Sequence, residues 1–318
     1  MKISLFSQTS GEDRPLLAIV LLLTGVLTLS FQDALVKLAS SEASFWQFQA
    51  LRSTFNICIL LVLASISSGL SLLIPINKPA VFLRTCFLTI CMFCFFAGAP
   101  YLSTAQMGAG LYTYPVFVSL LAGPVLGEII GIWRISSIIL GMTGAALIIQ
   151  PWQEDFSWIQ VLPVLAGFFF ACNVMTLRKA CRRESTLALA FAVALMFVVS
   201  ALTGITVLSL FPLSEAAQQA MPFIAIGWPE LTMMVLGLSA LASLLNLTGN
   251  ISLTRAYQSA DSSLLAPLDF TYLLFAAFWG NVLFGKWPDG LAWIGIALVI
   301  SAGMLTAWRE QIAAKNRQ

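Results

Sequence analysis

The run LLAIVLLLTGVLTLSFQDALVKLA at residues 16–39 is apolar almost throughout. The hydrocarbon core of a bilayer is about 30 Å thick, and roughly 20 apolar residues in a helix cross it. The run is too long for the apolar region of a cleaved signal peptide, and Asp33 and Lys37 lie inside its second half. It therefore predicts a retained transmembrane helix.

Similar runs follow one another down the rest of the chain, joined by short connections. They are continuously apolar, whereas the strands of a membrane barrel alternate apolar and polar residues over segments of about ten. The predicted fold class is thus an all-α integral membrane protein with ten transmembrane helices. The predicted spans are 16–39, 44–65, 80–98, 102–126, 131–150, 158–177, 186–210, 230–254, 262–284 and 291–308.

The composition agrees with a membrane protein and excludes several function classes. Hydrophobic residues make up 59% of the 318 residues and charged residues only 9%, whereas soluble domains carry roughly 25%. A net charge of +2 is too small for a nucleic-acid partner, so the expected partner is the lipid bilayer. The chain has no histidine, which removes Ser-His-Asp catalysis and histidine metal sites. We expect neither a metal nor another cofactor.

Weak internal similarity divides the chain near Pro151 into two repeats, residues 1–150 and 151–318. SFQDALVK (30–37) resembles FACNVMTLRK (170–179). The longer segment YLSTAQMGAGLYTYPVFVSLLAGPVLGE (101–128) resembles SADSSLLAPLDFTYLLFAAFWGNVLFGK (259–286). Each repeat holds five predicted helices, and because five is odd the repeats must have opposite orientations. Inverted repeats are typical of transporters that hold substrate between the two halves.

The whole chain resembles the drug/metabolite transporter superfamily, in particular its EamA type with ten helices. The most specific parts are PVFVSLLAGPVLGE (115–128) and APLDFTYLLFAAFWGNVLFGKWPD (266–289), and the second is similar to the S-adenosylmethionine-uptake-like branch. Lys286 stands where the family usually has glutamate. The resemblance implies transport of small organic solutes without ATP hydrolysis.

One set of polar residues is predicted near the outer face. Asp33 lies about 9 Å and Arg52 about 12 Å from the outer ends of their helices. An ionisable side chain in a span costs at least roughly 2.5 kcal/mol, so each needs a partner or a function. Asp33 could form a structural ion pair with Arg52 or Lys37, or these residues and Gln106 could line a charged outer vestibule.

A second set of polar residues is predicted about 8–14 Å from the inner ends of their helices. We expect these side chains to converge on one substrate-binding cavity, although hydrogen bonds between helices are the alternative. Asp269 could bind a cationic group of the substrate or carry a coupling proton. The set consists of Asn173, Asn246, Asn250 and Asp269.

Aromatic residues place the predicted substrate between the fourth and ninth helices, near Tyr112 and Tyr272. These rings could stack on a planar group of the substrate or simply pack. Pro115 and Pro267 are predicted to kink the same two helices. Three glycines spaced four residues apart allow close helix packing within the protein or, alternatively, form a dimer face. The sequence therefore leaves both a monomer and a homodimer open. The spaced residues are Gly123, Gly127 and Gly131.

The sequence therefore favours a secondary active transporter of a small polar organic metabolite working by alternating access, and not an enzyme. An amino-acid derivative or a nucleoside-like compound such as S-adenosylmethionine would suit the predicted site. The alternative is a membrane-embedded lipid-modifying enzyme, but the chain lacks a GxSxG or GxGD motif. A channel is disfavoured because no short pore segment is repeated.

The positive-inside rule predicts a protein of the inner (plasma) membrane with both termini in the cytoplasm. With ten helices, all of the 16 basic residues except Lys37, Arg52 and Lys286 fall on the side of the termini.

A fluorescent-protein fusion at Gln318 should therefore fluoresce, and an alkaline phosphatase fusion there should be inactive. Phosphatase activity at Gln318 would contradict the ten-helix topology.

Overall fold

A computed structural model of the chain describes residues 15–67, 69–126, 132–154, 156–181, 183–259, 265 and 268–315. Within these ranges the chain forms helices, two 3-10 turns and connecting loops, with no strand. The predicted all-α class is therefore confirmed. The helices are α1 (Pro15–Ala39), α2 (Phe45–Ile66), α3 (Lys78–Ala97), α4 (Thr104–Leu111), α5 (Tyr114–Leu126), α6 (Ile132–Ile149), α7 (Leu162–Ala180), α8 (Thr186–Leu210), α9 (Glu215–Ala220), α10 (Pro222–Ala225), α11 (Met233–Ser259), α12 (Thr271–Phe284) and α13 (Gly290–Lys315).

Six helical segments of the described chain are long and apolar enough to cross a membrane, and three shorter apolar helices accompany them. The nine fall on nine of the predicted runs. The tenth run, 102–126, is divided between α4 and α5. The number of membrane crossings stays a prediction, because several of these helices are shorter than a full span.

The division of the fourth predicted span occurs at Tyr112 and Thr113, just before Pro115. Proline lacks the backbone N–H that would continue the helical ladder, and it disfavours helical geometry in the residue before it. The Thr113 hydroxyl instead donates to the carbonyl of Gly110 at 2.6 Å. The kink expected at Pro115 is therefore present as a break. Pro267, Gly127 and Gly131 lie outside the described residues.

Serine side chains fix where several of these helices begin. Ser44, Ser103 and Ser185 precede α2, α4 and α8, and each accepts a hydrogen bond from a backbone N–H in the first turn. Such caps satisfy donors that a helix leaves unpaired and each contributes about 1 kcal/mol. At Ser103 the cap is reciprocal, because the Gln106 side chain accepts from the Ser103 backbone N–H at 3.0 Å.

The helices pack in pairs that join the two halves of the chain. The main pairs are α1 with α11, α3 with α7, α2 with α8 and α6 with α13. Further contacts join α4 and α5 to α7, α1 to α12, α2 to α11 and α3 to α8. We number the predicted spans in chain order and exchange each span of the first half with its counterpart in the second. This exchange returns the α2–α8 and α6–α13 pairs to themselves and converts each of the other pairs into another pair of the set.

Glycines permit the closest of these contacts. A methyl group added at Gly144 of α6 would lie 2.8 Å from the carbonyl oxygen of Gly295 in α13, and one added at Gly295 would lie 2.7 Å from that of Gly144. Gly25 of α1 and Gly249 of α11 are related in the same way, at 3.0 and 3.2 Å. Backbone atoms cannot move aside as a flexible side chain can, so these positions exclude larger residues.

We expect Gly295→Ala to destabilise the protein by about 1–3 kcal/mol, because the added methyl group overpacks a backbone contact. Gly237→Ala in α11 is the matched control, since a methyl group added at Gly237 would have no described neighbour within 4 Å. Alanine there should be neutral or stabilising. Thermal unfolding in detergent measures both. Equal midpoints for the two variants would show that the α6–α13 contact is not tight.

Candidate functional site

The Asp33 carboxylate of α1 is held by two side-chain donors. The Tyr272 hydroxyl of α12 donates to its Oδ2 at 2.5 Å, and the Gln32 Nε2 amide donates to its Oδ1 at 2.9 Å. Tyr272 and Gln32 are almost completely buried. A hydrogen bond to a carboxylate is stronger than one between neutral groups, so Asp33 ties α1 firmly to α12.

The same network continues to α11. Asn246 donates from Nδ2 to Gln32 Oε1 at 3.0 Å. Asn246, Gln32, Asp33 and Tyr272 thus form one hydrogen-bonded series across three helices, which we call the polar chain. The prediction of two separate polar layers is wrong here. Because α1 and α11 run antiparallel in close contact, a residue of the expected inner set lies beside one of the expected outer set.

Stacked tyrosines border the polar chain. The rings of Tyr112 and Tyr272 are 4.9 Å apart and inclined by 17°, and Phe270 meets Tyr112 edge-on at 5.5 Å. Gly108 allows this approach, since a methyl group there would lie 2.8 Å from the Tyr272 ring. The two tyrosines therefore meet between the predicted fourth and ninth spans as expected, but they stack on each other.

The direct ion pair predicted between Asp33 and Arg52 is not formed. Arg52 donates from Nη2 to Gln49 Oε1 at 2.9 Å and lies over the rings of Phe96 and Phe197 at 5.6 and 5.9 Å. Gln49 is one turn away on the same helix and so takes the place of the expected carboxylate. Asp33 and Arg52 still interact electrostatically at longer range.

Lys37 has a structural role in place of the predicted pair with Asp33. Its ammonium donates to the carbonyls of Ala99 at 2.5 Å and Leu102 at 2.6 Å, and lies 5.3 Å from the Phe284 ring centre. It thereby anchors the connection between α3 and α4 to α1. Gln106 caps α4 as described above, so it does not join Asp33 and Arg52 in a vestibule.

The remaining predicted residues do not converge on one cavity. Asn250 is exposed and donates to the Asn246 carbonyl of its own helix at 2.7 Å. Asn173 is buried in α7, and its Oδ1 has no partner among the described residues. Asp269 interacts electrostatically with Tyr112 and Tyr257. In the described part of the chain, no side chain donates a hydrogen bond to it.

A polar face of α2 escaped the sequence analysis. Asn56 accepts a hydrogen bond from the Ser243 hydroxyl of α11 at 2.7 Å. Next to this pair are buried polar atoms that lack a partner among the described residues, namely Gln49 Nε2, Arg52 Nε, Ser53 Oγ and Ser239 Oγ. The spacing of residues 49, 52, 53 and 56 along one face of a helix was the signal that could have predicted it.

One end of the bundle is closed by the start of α2. Ser44, Trp46 and Gln47 donate from their side chains to backbone carbonyls within residues 224–229, each at 2.8–2.9 Å. We call this contact the α10 clasp. It joins the connection after α1 to the connection after α8, which are far apart in the sequence.

The other end is closed by a single carboxylate. Glu184, in the connection after α7, accepts from the backbone N–H groups of Ile76 at 2.9 Å and Asn77 at 2.6 Å. We call this contact the Glu184 clasp. Residues 76 and 77 follow α2, whose 22 residues rise about 33 Å, so the two clasps lie at opposite ends of that helix.

A crevice of about 370 Å³ has none of these polar residues in its lining. Mostly apolar side chains line it, among them Val116 and Phe117 of α5 and Trp158 of the 3-10 turn before α7. Apart from the Thr113 hydroxyl and the Trp158 indole, this lining offers few groups to orient a polar ligand. The polar chain and the unpartnered face of α2 are therefore the candidate site.

The Tyr272 hydroxyl stabilises the site through its hydrogen bond to Asp33, whereas the Tyr112 hydroxyl makes no such bond among the described residues. Tyr272→Phe should destabilise the protein by about 1.5–3 kcal/mol, because it leaves a carboxylate oxygen of Asp33 without its donor. Tyr112→Phe is the matched control, since the Tyr112 hydroxyl has no hydrogen-bond partner within the described ranges. Thermal unfolding midpoints compare the two. If Tyr112→Phe lowered the unfolding midpoint as much as Tyr272→Phe, the stabilising role assigned to the Tyr272 hydroxyl would be contradicted.

Comparison with known proteins agrees with this architecture. The EamA-like transporter family matches residues 16–150. The chain is 30% identical over 207 residues to a riboflavin transporter of Rhizobium johnstonii, covering 64% of this chain and 62% of that protein. It is 25% identical over 207 residues to an S-adenosylmethionine uptake transporter of Rickettsia felis, covering 65% and 64%. The chain thus spans less than two thirds of the length of either relative.

A solved crystal structure shares the fold over nearly the whole chain. It has a TM-score of 0.55 and 20% sequence identity, and the match covers 91% of this chain and 96% of that one. The family and the two relatives are named as transporters and not as enzymes. Together with its apolar helices, these likenesses show a multi-pass membrane protein whose residues 16–150 match the EamA-like transporter family, within the drug/metabolite transporter superfamily.

Proposed function

We propose that this protein is a secondary active transporter of a small polar organic metabolite that works by alternating access. The observation that carries the proposal is the polar chain, which is held inside an apolar helix bundle closed by a clasp at each end. Polar groups inside a membrane protein are expensive and commonly mark a substrate or ion pathway. A ligand that bonds to these groups replaces the hydrogen bonds they now make with one another.

Two inverted repeats, residues 1–150 and 151–318, supply the symmetry that such a mechanism needs. The helix pairs exchange with one another when the two halves are interchanged, and the family model ends at residue 150. The two clasps are exchanged by the same operation. With the termini in the cytoplasm of the inner membrane, the α10 clasp closes the outer side and the Glu184 clasp closes the inner side.

The substrate class follows from the relatives and from the site. Relatives are named for riboflavin and S-adenosylmethionine, and both compounds join a planar ring system to several polar groups. The tyrosine stack can receive such a ring by separation of Tyr112 from Tyr272. The polar chain beside it supplies donors and acceptors.

Asp269 is the proposed position for a coupling proton or for a cationic group of the substrate. It interacts electrostatically with Tyr112, and no hydrogen bond from a described side chain holds it. Asp33, in contrast, has two donors that fix it within the structure. A carboxylate that must bind and release a proton or ligand in each cycle is better left without fixed partners.

Counterflow in proteoliposomes tests the function. Vesicles loaded with unlabelled riboflavin or S-adenosylmethionine should accumulate the labelled compound when they contain the protein, and empty vesicles should not. Asp269→Asn should abolish transport or remove its dependence on a pH gradient, because the amide has nearly the size of the carboxyl group but does not ionise.

Glu215→Gln is the control for Asp269→Asn, since Glu215 is an exposed carboxylate at the start of α9. It should transport as the wild type does. Wild-type rates and unchanged pH dependence in Asp269→Asn would remove Asp269 from the mechanism. Absence of counterflow for both compounds would contradict the proposed substrate class.

A further inference from the structure

We propose that the unpartnered face of α2 is a substrate subsite that binds oxygen acceptors, either a carboxylate or the conjugated carbonyls of a ring. We call it the Arg52 subsite, and it consists of Gln49, Arg52, Ser53 and Ser239. The inference rests on the proposed transport function and adds the chemistry of the group that is recognised. A ligand group with oxygen acceptors is different from the cationic group that Asp269 alone would favour.

The four side chains are buried, yet each has a polar atom without a partner in the described part of the chain. Arg52 and Gln49 are each 3% exposed, and Ser53 and Ser239 are fully buried. The atoms that lack partners among the described residues are Arg52 Nε, Gln49 Nε2 and the two serine hydroxyls. A buried donor without an acceptor costs about 1–3 kcal/mol, so four such atoms together are an unusual feature of a packed bundle.

The chemistry of these atoms selects the ligand. The Arg52 and Gln49 nitrogens can only donate, and a serine hydroxyl can donate as well as accept. A guanidinium presents its donors in a plane that suits a carboxylate or a pair of carbonyl oxygens. A cationic group would meet the positive charge of Arg52 without a carboxylate directly bonded to it, so the subsite excludes cations.

The walls of the subsite favour a flat ligand. Phe96 and Phe197 lie against the guanidinium at 5.6 and 5.9 Å, from α3 and α8 respectively. Both phenylalanines are buried. An aromatic ring bearing oxygen acceptors can pack against these rings while its oxygens reach Arg52.

The subsite and the polar chain lie along one stretch of α11. Ser239 belongs to the subsite, Ser243 bonds to Asn56 of α2, and Asn246 begins the polar chain. The seven residues from Ser239 to Asn246 correspond to about 10 Å of helix. A compound of two or three fused rings with a polar tail can therefore contact both groups at once.

Binding to the purified, full-length protein in detergent tests the assignment with three probes. Riboflavin presents conjugated carbonyls, 1-naphthoate presents a carboxylate, and 1-naphthylmethylammonium presents a cation on the same ring as the naphthoate. The variants are Arg52→Lys, which keeps the charge but loses Nε, and Arg84→Lys as control. Arg84 is a second, partly buried arginine with unpartnered nitrogens, in α3.

We expect one or both oxygen-bearing probes to bind the wild type and Arg84→Lys equally, and to bind Arg52→Lys at least about tenfold more weakly. The probe that binds identifies which kind of acceptor is used. The ammonium probe should not use the Arg52 subsite, so any binding of it, for example at Asp269, should be the same in Arg52→Lys and the wild type. If Arg52→Lys does not fold, Ser239→Ala replaces it, and binding should fall several-fold because one hydroxyl is lost.

Three results would overturn the assignment. They are undiminished binding of the oxygen-bearing probes in the Arg52 or Ser239 variant, binding of the ammonium probe that falls in Arg52→Lys as binding of naphthoate does, and no binding of either oxygen-bearing probe to the wild type. Counterflow with a probe that binds separates this inference from the transport function. If a probe binds in an Arg52-dependent way but shows no counterflow, the subsite is supported and the transport function is contradicted. If counterflow occurs and the Arg52 variant does not change it, transport is supported and the subsite is contradicted.

Discussion

The hydrocarbon core of a bilayer offers no water to a polar group, so a donor or acceptor inside the protein is costly unless it is paired. The hydrogen bond from Tyr272 to Asp33 is the clearest result of this constraint. It joins α1 of the first half of the chain to α12 of the second half, and Gln32 and Asn246 extend the connection to α11. The apolar helices provide the scaffold, and these few polar bonds determine which helices remain together.

The same constraint bears on the proposed alternating access. The bonds of the polar chain are made between side chains, so a ligand with suitable groups can take over either partner. The clasps at the two ends of α2 are also few in number, with three side-chain bonds at one end and one carboxylate at the other. In the proposed mechanism, opening one end would break only these few hydrogen bonds.

The sequence predicted the helices better than it predicted the site. A continuous apolar run of about 20 residues predicts a membrane-crossing helix, and α1, α2 and α8 lie where expected. Pro115 predicted the interruption between α4 and α5. The partner of Arg52 could not be predicted from depth alone, because Gln49 on the same helix competes with Asp33 on another. Likewise, Asn250 shares a spacing of four with Asn246, yet it is exposed and bonds to its own helix. Which side of α11 faces α1 depends on the Gly25–Gly249 contact, which only the packed structure reveals.

Distances between spin labels at the two ends of the bundle test the central claim of alternating access most directly. One pair at Ser41 and Gln219 reports on the α10 clasp, and another at Ser71 and Thr186 reports on the Glu184 clasp; all four residues are exposed in the structure. In a variant without the six native cysteines, double electron–electron resonance in lipid nanodiscs should show two populations. In each population, the label distance should be long at one end of the bundle and short at the other. A transported ligand should shift the balance between the two populations. Distances that stay fixed at both ends, or that lengthen together, would contradict the account.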